Sequence, residues 1–231
     1  MKGTVFCVCR SNMIEAFEGN TQTNMHIDPS ANEMIQMDPR ATKSFFMRYV
    51  NTITENIDVY FAECDIKKAT SGFIDEGVYF EHYYVKRSFN CYHIRDRNLF
   101  LLHTDTRTGN YFIRSINKKY KRFPTYQLSI LDMEFEHVDQ RVPVSALSVR
   151  PNSDAQIRSH QITGENLVTN PLYQSMKQND EMRALTIDFI FQNFQYNVLL
   201  SKKGSMWIRN SEDNINTNLS IVLKIIEDLF S

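Results

Sequence analysis

Only seven glycines and six prolines punctuate the 231 residues. No Gly-rich phosphate loop, GxSxG elbow, HExxH or GxGxxG occurs, which disfavours enzyme classes that need close backbone approach to phosphate. Cysteine is scarce too. Cys7, Cys9, Cys64 and Cys91 follow no disulfide-framework or CxxC spacing, a pattern that reads as reduced thiols in a cytoplasm. No stretch approaches the ~18 apolar residues of a membrane span. The N-terminus lacks the basic-then-apolar layout of a signal peptide, so the chain reads as soluble, unprocessed and cytoplasmic. An excess of one charge is also missing: the net charge of -1 provides no global attraction to nucleic acid or anionic lipid. What is present is 42% apolar and 12% aromatic content, ample for one large core or two small ones.

The patterning predicts an α+β fold: an antiparallel meander with a helix packed on it, a smaller hairpin region and a C-terminal helix. TVFCVCR, 4–10, reads as an opening strand. Asp38 and Pro39 read as the start of a helix, with Thr42, Phe46, Tyr49, Val50 and Ile53 on one face. Strands are expected from 57 to 138, with RDRN, 95–98, and TRTGN, 106–110, as turns. GVYFEHYYVKRSF, 77–89, reads as one long strand, and a change of parity near Leu131 suggests a bulge. Residues 1–138 are thus read as one domain, 139–181 as a polar linker or insertion, and 182–231 as strand, hairpin and helix. In the closing helix, from about 216 to 230, Leu219, Val222, Leu223 and Ile226 make a stripe that Ile221 and Ile225 widen. Burial on two sides follows, either against a second subunit, giving a homodimer, or inside a monomer core.

Charge distribution carries the functional signal. Between residues 83 and 125 stand ten cations, Lys86, Arg87, Arg95, Arg97, Arg107, Arg114, Lys118, Lys119, Lys121 and Arg122, against Asp96 and Asp105. That window carries +8 and the remaining chain -9, so a basic meander is embedded in an acidic protein. Cations on hairpin loops can neutralise phosphates without reading bases, giving sequence-tolerant, salt-sensitive binding. Strand parity places most of the interleaved aromatics in the core and leaves Tyr120 and Phe123 as stacking groups. A basic face paired with the acidic remainder, or with an acidic protein partner, is the alternative.

Two chemical alternatives stay open. Asp58, Asp65 and Lys67, with Asp38, loosely imitate a metal-dependent nuclease site. Cys91 and His93 share a strand face, and His82 and His103 on neighbouring strands could complete a metal site, although the spacing matches no zinc pattern. No cofactor is expected.

The order of features resembles that of the RexA-type exclusion proteins of temperate phages. The matching pieces are MKGTVFCVCRS at 1–11, RNLFLLHTDTRTGNYFIRSINKK at 97–119, RVPVSALSV at 141–149, LSKKG at 200–204 and KIIEDLF at 224–230. The resemblance implies a prophage-encoded, cytoplasmic DNA-binding sensor that responds to DNA intermediates of an infecting phage and activates a membrane ion channel. It implies no catalytic residues.

Overall fold

A computed structural model describes residues 3–11, 45–69, 71–74, 78–80, 83–119, 128–153 and 156–230. The fold is α+β, as the patterning predicts: antiparallel sheet with, among the described residues, three α-helices, the last at the C-terminal end of the sequence. Two compact units divide it. One comprises Met1–Val8 with Ile130–Ser231, the other Cys9–Ser129.

In the first unit the strand order is β10 (His160–Thr163), β9 (Val144–Arg150), β11 (Glu181–Phe191), β12 (Phe194–Ser201), β13 (Ser205–Ile208) and β1 (Thr4–Ser11). Alternation explains which face of this sheet is buried. Leu185, Ile187 and Phe189 on β11, Tyr196, Val198 and Leu200 on β12, and Met206 and Ile208 on β13 share one face and are all buried. The Lys202-Lys203-Gly204 turn joins β12 to β13. Gly204 has φ +72°, and a Cβ there would lie 2.5 Å from the Ile130 side chain and 2.6 Å from the Leu131 carbonyl, so glycine is required. Helix α2 (Pro171–Asn179) starts at Asn170, whose side chain accepts from the Leu172 and Tyr173 amides. It is tied down where Tyr173 and Lys177, one turn apart, both donate to the buried Asp139 carboxylate, at 2.8 Å and 2.7 Å.

Three sequence expectations change in this unit. Residues 139–181 hold β9, β10 and α2, and β9 pairs along β11, because the apolar residues of VSALSV match a central strand. The strand predicted over 126–135 ends early: β8 spans Leu128–Ile130, and the parity change near Leu131 marks its end. In α3 (Ile215–Phe230), Leu219, Val222 and Ile226 are buried within the chain and Leu223 is half-buried. The stripe read as a dimer interface is therefore core. Its width reflects burial of Ile221 and Ile225 as well.

The second unit is built on β7 (Leu99–Leu102), β6 (Tyr83–Ile94), β3 (Ile57–Lys68) and β2 (Phe45–Thr54), in that order, with a separate hairpin of β4 (Gly72–Ile74) and β5 (Val78–Phe80). β3 and β6 pair without a register shift over twelve positions, from Ile57 with Ile94 to Lys68 with Tyr83. One sheet face carries Ala62, Cys64, Phe89 and Cys91, all buried. Helix α1 (Thr106–Lys119) packs there: the Phe112 ring meets the Phe89 ring edge-on at 5.2 Å.

The helix predicted from Asp38 is not the one on this sheet. Residues 38–44 lie outside the described residues, and 45–54 form β2, because FFMRYVNTIT is rich in aromatic and β-branched residues and pairs along β3. The expected turn at 106–110 and the strand after it are replaced by α1. GVYFEHYYVKRSF, read as one strand, falls on both β5 and β6. At RDRN the expected turn is present as a short 3-10 turn that ends on Asn98 at φ 53°.

Candidate nucleic-acid interface

Local chemistry explains why α1 starts where it does. Asp105 precedes the helix, and its carboxylate accepts from the Thr108 amide at 3.0 Å and from the Thr108 hydroxyl at 2.7 Å. This is an N-cap that satisfies a free first-turn donor. Burial pushes the Asp105 carboxyl up, but donation from Thr108 and the Arg107 amide, with the Arg87 charge nearby, leaves it below its ordinary value. Phe112, Ile113 and Ile116 then fall on one side and are buried. At 100° per residue, Arg107, Tyr111, Arg114 and Lys118, at i, i+4, i+7 and i+11, fall within about 60° of each other on the opposite side. Arg107, Arg114 and Lys118 are exposed and Tyr111 is half-buried. No acidic residue occurs within the helix.

The three cations span about 16 Å along the axis, at 1.5 Å per residue. Arg87 adds to them: it is exposed on β6 and shares the sheet face of Phe89, the face that α1 covers. Its charge also acts on the Asp105 carboxyl that caps the helix. Among the described residues none of Arg107, Arg114 and Lys118 forms a salt bridge.

The other predicted cations separate from this group. Lys86 is one residue from Arg87 and so points to the opposite sheet face, where its Nζ lies 4.0 Å from Glu63. Arg95 serves structure: its Nε lies 3.5 Å from the buried Asp58 carboxylate, and its guanidinium donates to the Glu55 carbonyl. For Arg95 the intramolecular pairing alternative holds. Arg97 is exposed in the turn that precedes β7. Lys119 ends α1, but its side chain, with Tyr120, Lys121, Arg122 and Phe123, lies outside the described residues.

The alternative chemistries lose their geometry. Asp58 and Asp65 are seven residues apart on a β3 that pairs without a shift, so they point to opposite faces about 23 Å apart. They cannot share a metal ion. Asp58 instead accepts from Thr52 at 2.7 Å and faces Arg95. His93 is buried and stacked on Phe100 at 4.5 Å. Burial pushes its imidazole down to about 4, with Asp58 opposing and Arg95 reinforcing that shift. Among the described residues no group of three or more His, Cys, Asp or Glu side chains could hold a metal ion; His82 and Asp38 lie outside them. All four cysteines are buried and free of disulfides, and burial pushes the Cys64 thiol up to about 12.

Strand parity missed Tyr111, which it placed in the core. The signal that finds it was in the sequence: an Asp-x-x-Thr cap followed by Arg-x3-Tyr-x2-Arg-x3-Lys, a helical stripe with no acid in it. The fold and this site together define an α+β protein whose sheet-packed helix turns a row of cations outward. No family model and no curated protein matches the sequence. Among the described residues no helix is long and apolar enough to cross a membrane.

Proposed function

We propose that this protein binds DNA chiefly through phosphates, using the α1 stripe with Arg87, and that it acts as the sensing component of a phage exclusion system. The single observation that supports the binding is the alignment of Arg107, Arg114 and Lys118 on the exposed side of one acid-free helix. Sequence tolerance is expected from the flanks of that helix. Asn110 and Ser115 donate to their own helix carbonyls, and Asn117 is held by both backbone groups of Leu128. Few donors are left to read base edges. The exclusion role rests on the order of sequence features, and so does the membrane channel as a downstream partner. The sequence reading of a homodimer has no further support, since its proposed stripe is core.

Titration of labelled DNA across a salt series tests the binding. Each neutralised phosphate contributes about 0.7 to 0.9 to the slope of log Kd against log salt, so four cations give about 3 to 3.6. A fourfold rise in salt then weakens binding about 60- to 150-fold. Replacing Arg107, Arg114 and Lys118 together by Gln leaves a slope of about 1 or less. An unchanged slope in that variant, or no DNA binding by the wild type alongside capture of an acidic protein, overturns the proposal.

A further inference from the structure

We infer that Asn117 is a positioning residue for the phosphate-binding row: its side-chain amide fixes the last turn of α1, so that Lys118 stands in line with Arg107 and Arg114. The inference rests on the binding proposed above and names what holds the far end of that row. Three observations carry it.

The first is a double tie. Asn117 Nδ2 donates to the Leu128 carbonyl at 2.8 Å, and the Leu128 amide donates to Asn117 Oδ1 at 2.9 Å. One side chain thereby makes with Leu128 the pair of bonds that a neighbouring antiparallel strand would make. Leu128 is buried at the start of β8, so the anchor is a packed residue. Ser115, two positions earlier, donates only to the Tyr111 carbonyl of its own helix.

The second is the strain on that end of α1. The last four carbonyls of a helix have no partner within it, and its final turn frays. Arg114 and Lys118 stand four residues apart, where like charges repel, and no acidic residue in α1 offsets them. Ile116 is the last buried side chain described in the helix. Beyond it, the Asn117 amide is the restraint on Lys118, and without it unwinding the last turn relieves the repulsion.

The third is placement. Asn117 lies one residue before Lys118 but about 100° round the axis from it, on the flank between the exposed row and the buried side. From there it bonds Leu128 without occupying the row. Arg107 stands about 15 Å from Asn117 along the axis, and Arg114 is about 4.5 Å further from the helix end than Asn117. Loss of the tie therefore falls on Lys118.

A double-variant cycle, read with a labelled DNA duplex of mixed sequence across a salt series, tests this directly. Asn117→Ala lowers the slope of log Kd against log salt by about 0.7 to 0.9, one phosphate contact, which is about a 5- to 8-fold loss of affinity near 0.1 M salt. Lys118→Gln gives the same loss. In that background Asn117→Ala has no further effect on binding, although it still lowers the urea midpoint. Acetylation footprinting of the wild type gives a readout that does not depend on how any variant folds, and bound DNA protects Lys118. An unchanged slope in Asn117→Ala whatever its urea midpoint, a further loss of affinity from Asn117→Ala in the Lys118→Gln background, or equal acetylation of Lys118 with and without DNA overturns the inference while leaving phosphate binding by Arg87, Arg107 and Arg114 in place. Absence of salt-dependent DNA binding in the wild type would instead remove the underlying proposal.

Discussion

Removing the carboxylate that caps α1 should cost more than an ordinary cap. Asp105→Ala deletes an acceptor for the Thr108 amide, worth ~1 kcal/mol at an N-cap. It also strands the Thr108 hydroxyl, which sits in a residue only 1% exposed and donates to that same carboxylate at 2.7 Å. A buried donor without its acceptor costs ~1–3 kcal/mol, so the total is about 2 to 4 kcal/mol. Urea unfolding followed by far-UV circular dichroism, with amide exchange in α1, measures it. The double variant Asp105→Ala/Thr108→Val separates the two contributions, because removing both partners of a buried hydrogen bond is nearly neutral; it should recover about 1 kcal/mol or more. The pH dependence has a definite sign. The folded carboxyl lies below its unfolded value of about 3.9, so the gap between wild type and Asp105→Ala is full above that pH and is lost as pH falls through the folded value. A cost under ~0.5 kcal/mol, the range of ordinary surface substitutions, or a double variant no more stable than the single would refute the reasoning.

Two further outcomes follow from buried groups. Lys177→Met should destabilise by about 3 kcal/mol in the same urea assay, because it leaves the Asp139 carboxylate buried with its cation gone, whereas Tyr173→Phe should cost ~1 kcal/mol. His93, followed by proton NMR, should stay neutral until pH falls to about 4. An unfolded histidine protonates near 6.5, so the unfolded state holds the extra proton between those values. Stability should fall as pH drops through that window, and His93→Phe should flatten the fall.

Elements with one dominant period were legible in the sequence. β11 alternates in sequence from Leu185 to Phe189, the β12–β13 turn is announced by Lys-Lys-Gly, and α3 repeats apolar residues at helical spacing for 16 residues. Two segments carried both periods and were misread. Thr42 to Ile53 can be drawn as a helix face, yet 45–54 is a strand, because pairing with β3 satisfies its backbone and its aromatic and branched side chains suit a pleated surface. Conversely, Gly109 and the threonines of TRTGN suggest a turn, yet the Asp105 cap and the burial of Phe112, Ile113 and Ile116 make the segment a helix. That second exchange of period moved the site. Read at period two, Tyr111 was core; read at 3.6, it joins the basic row.

By itself the sequence determined the α+β class, the final helix, the late hairpin and the existence of a basic window, since each follows from local periodicity or from a charge count. Which cations share a surface was decided only by tertiary structure. Adjacent residues on a strand point to opposite faces, so Lys86 and Arg87 part company. A buried carboxylate draws Arg95 inward, because an unpaired charge there would be costly. Arg107, Arg114 and Lys118 come into line only when the opposite side of α1 is buried against β6 and its neighbours, which turns their row outward.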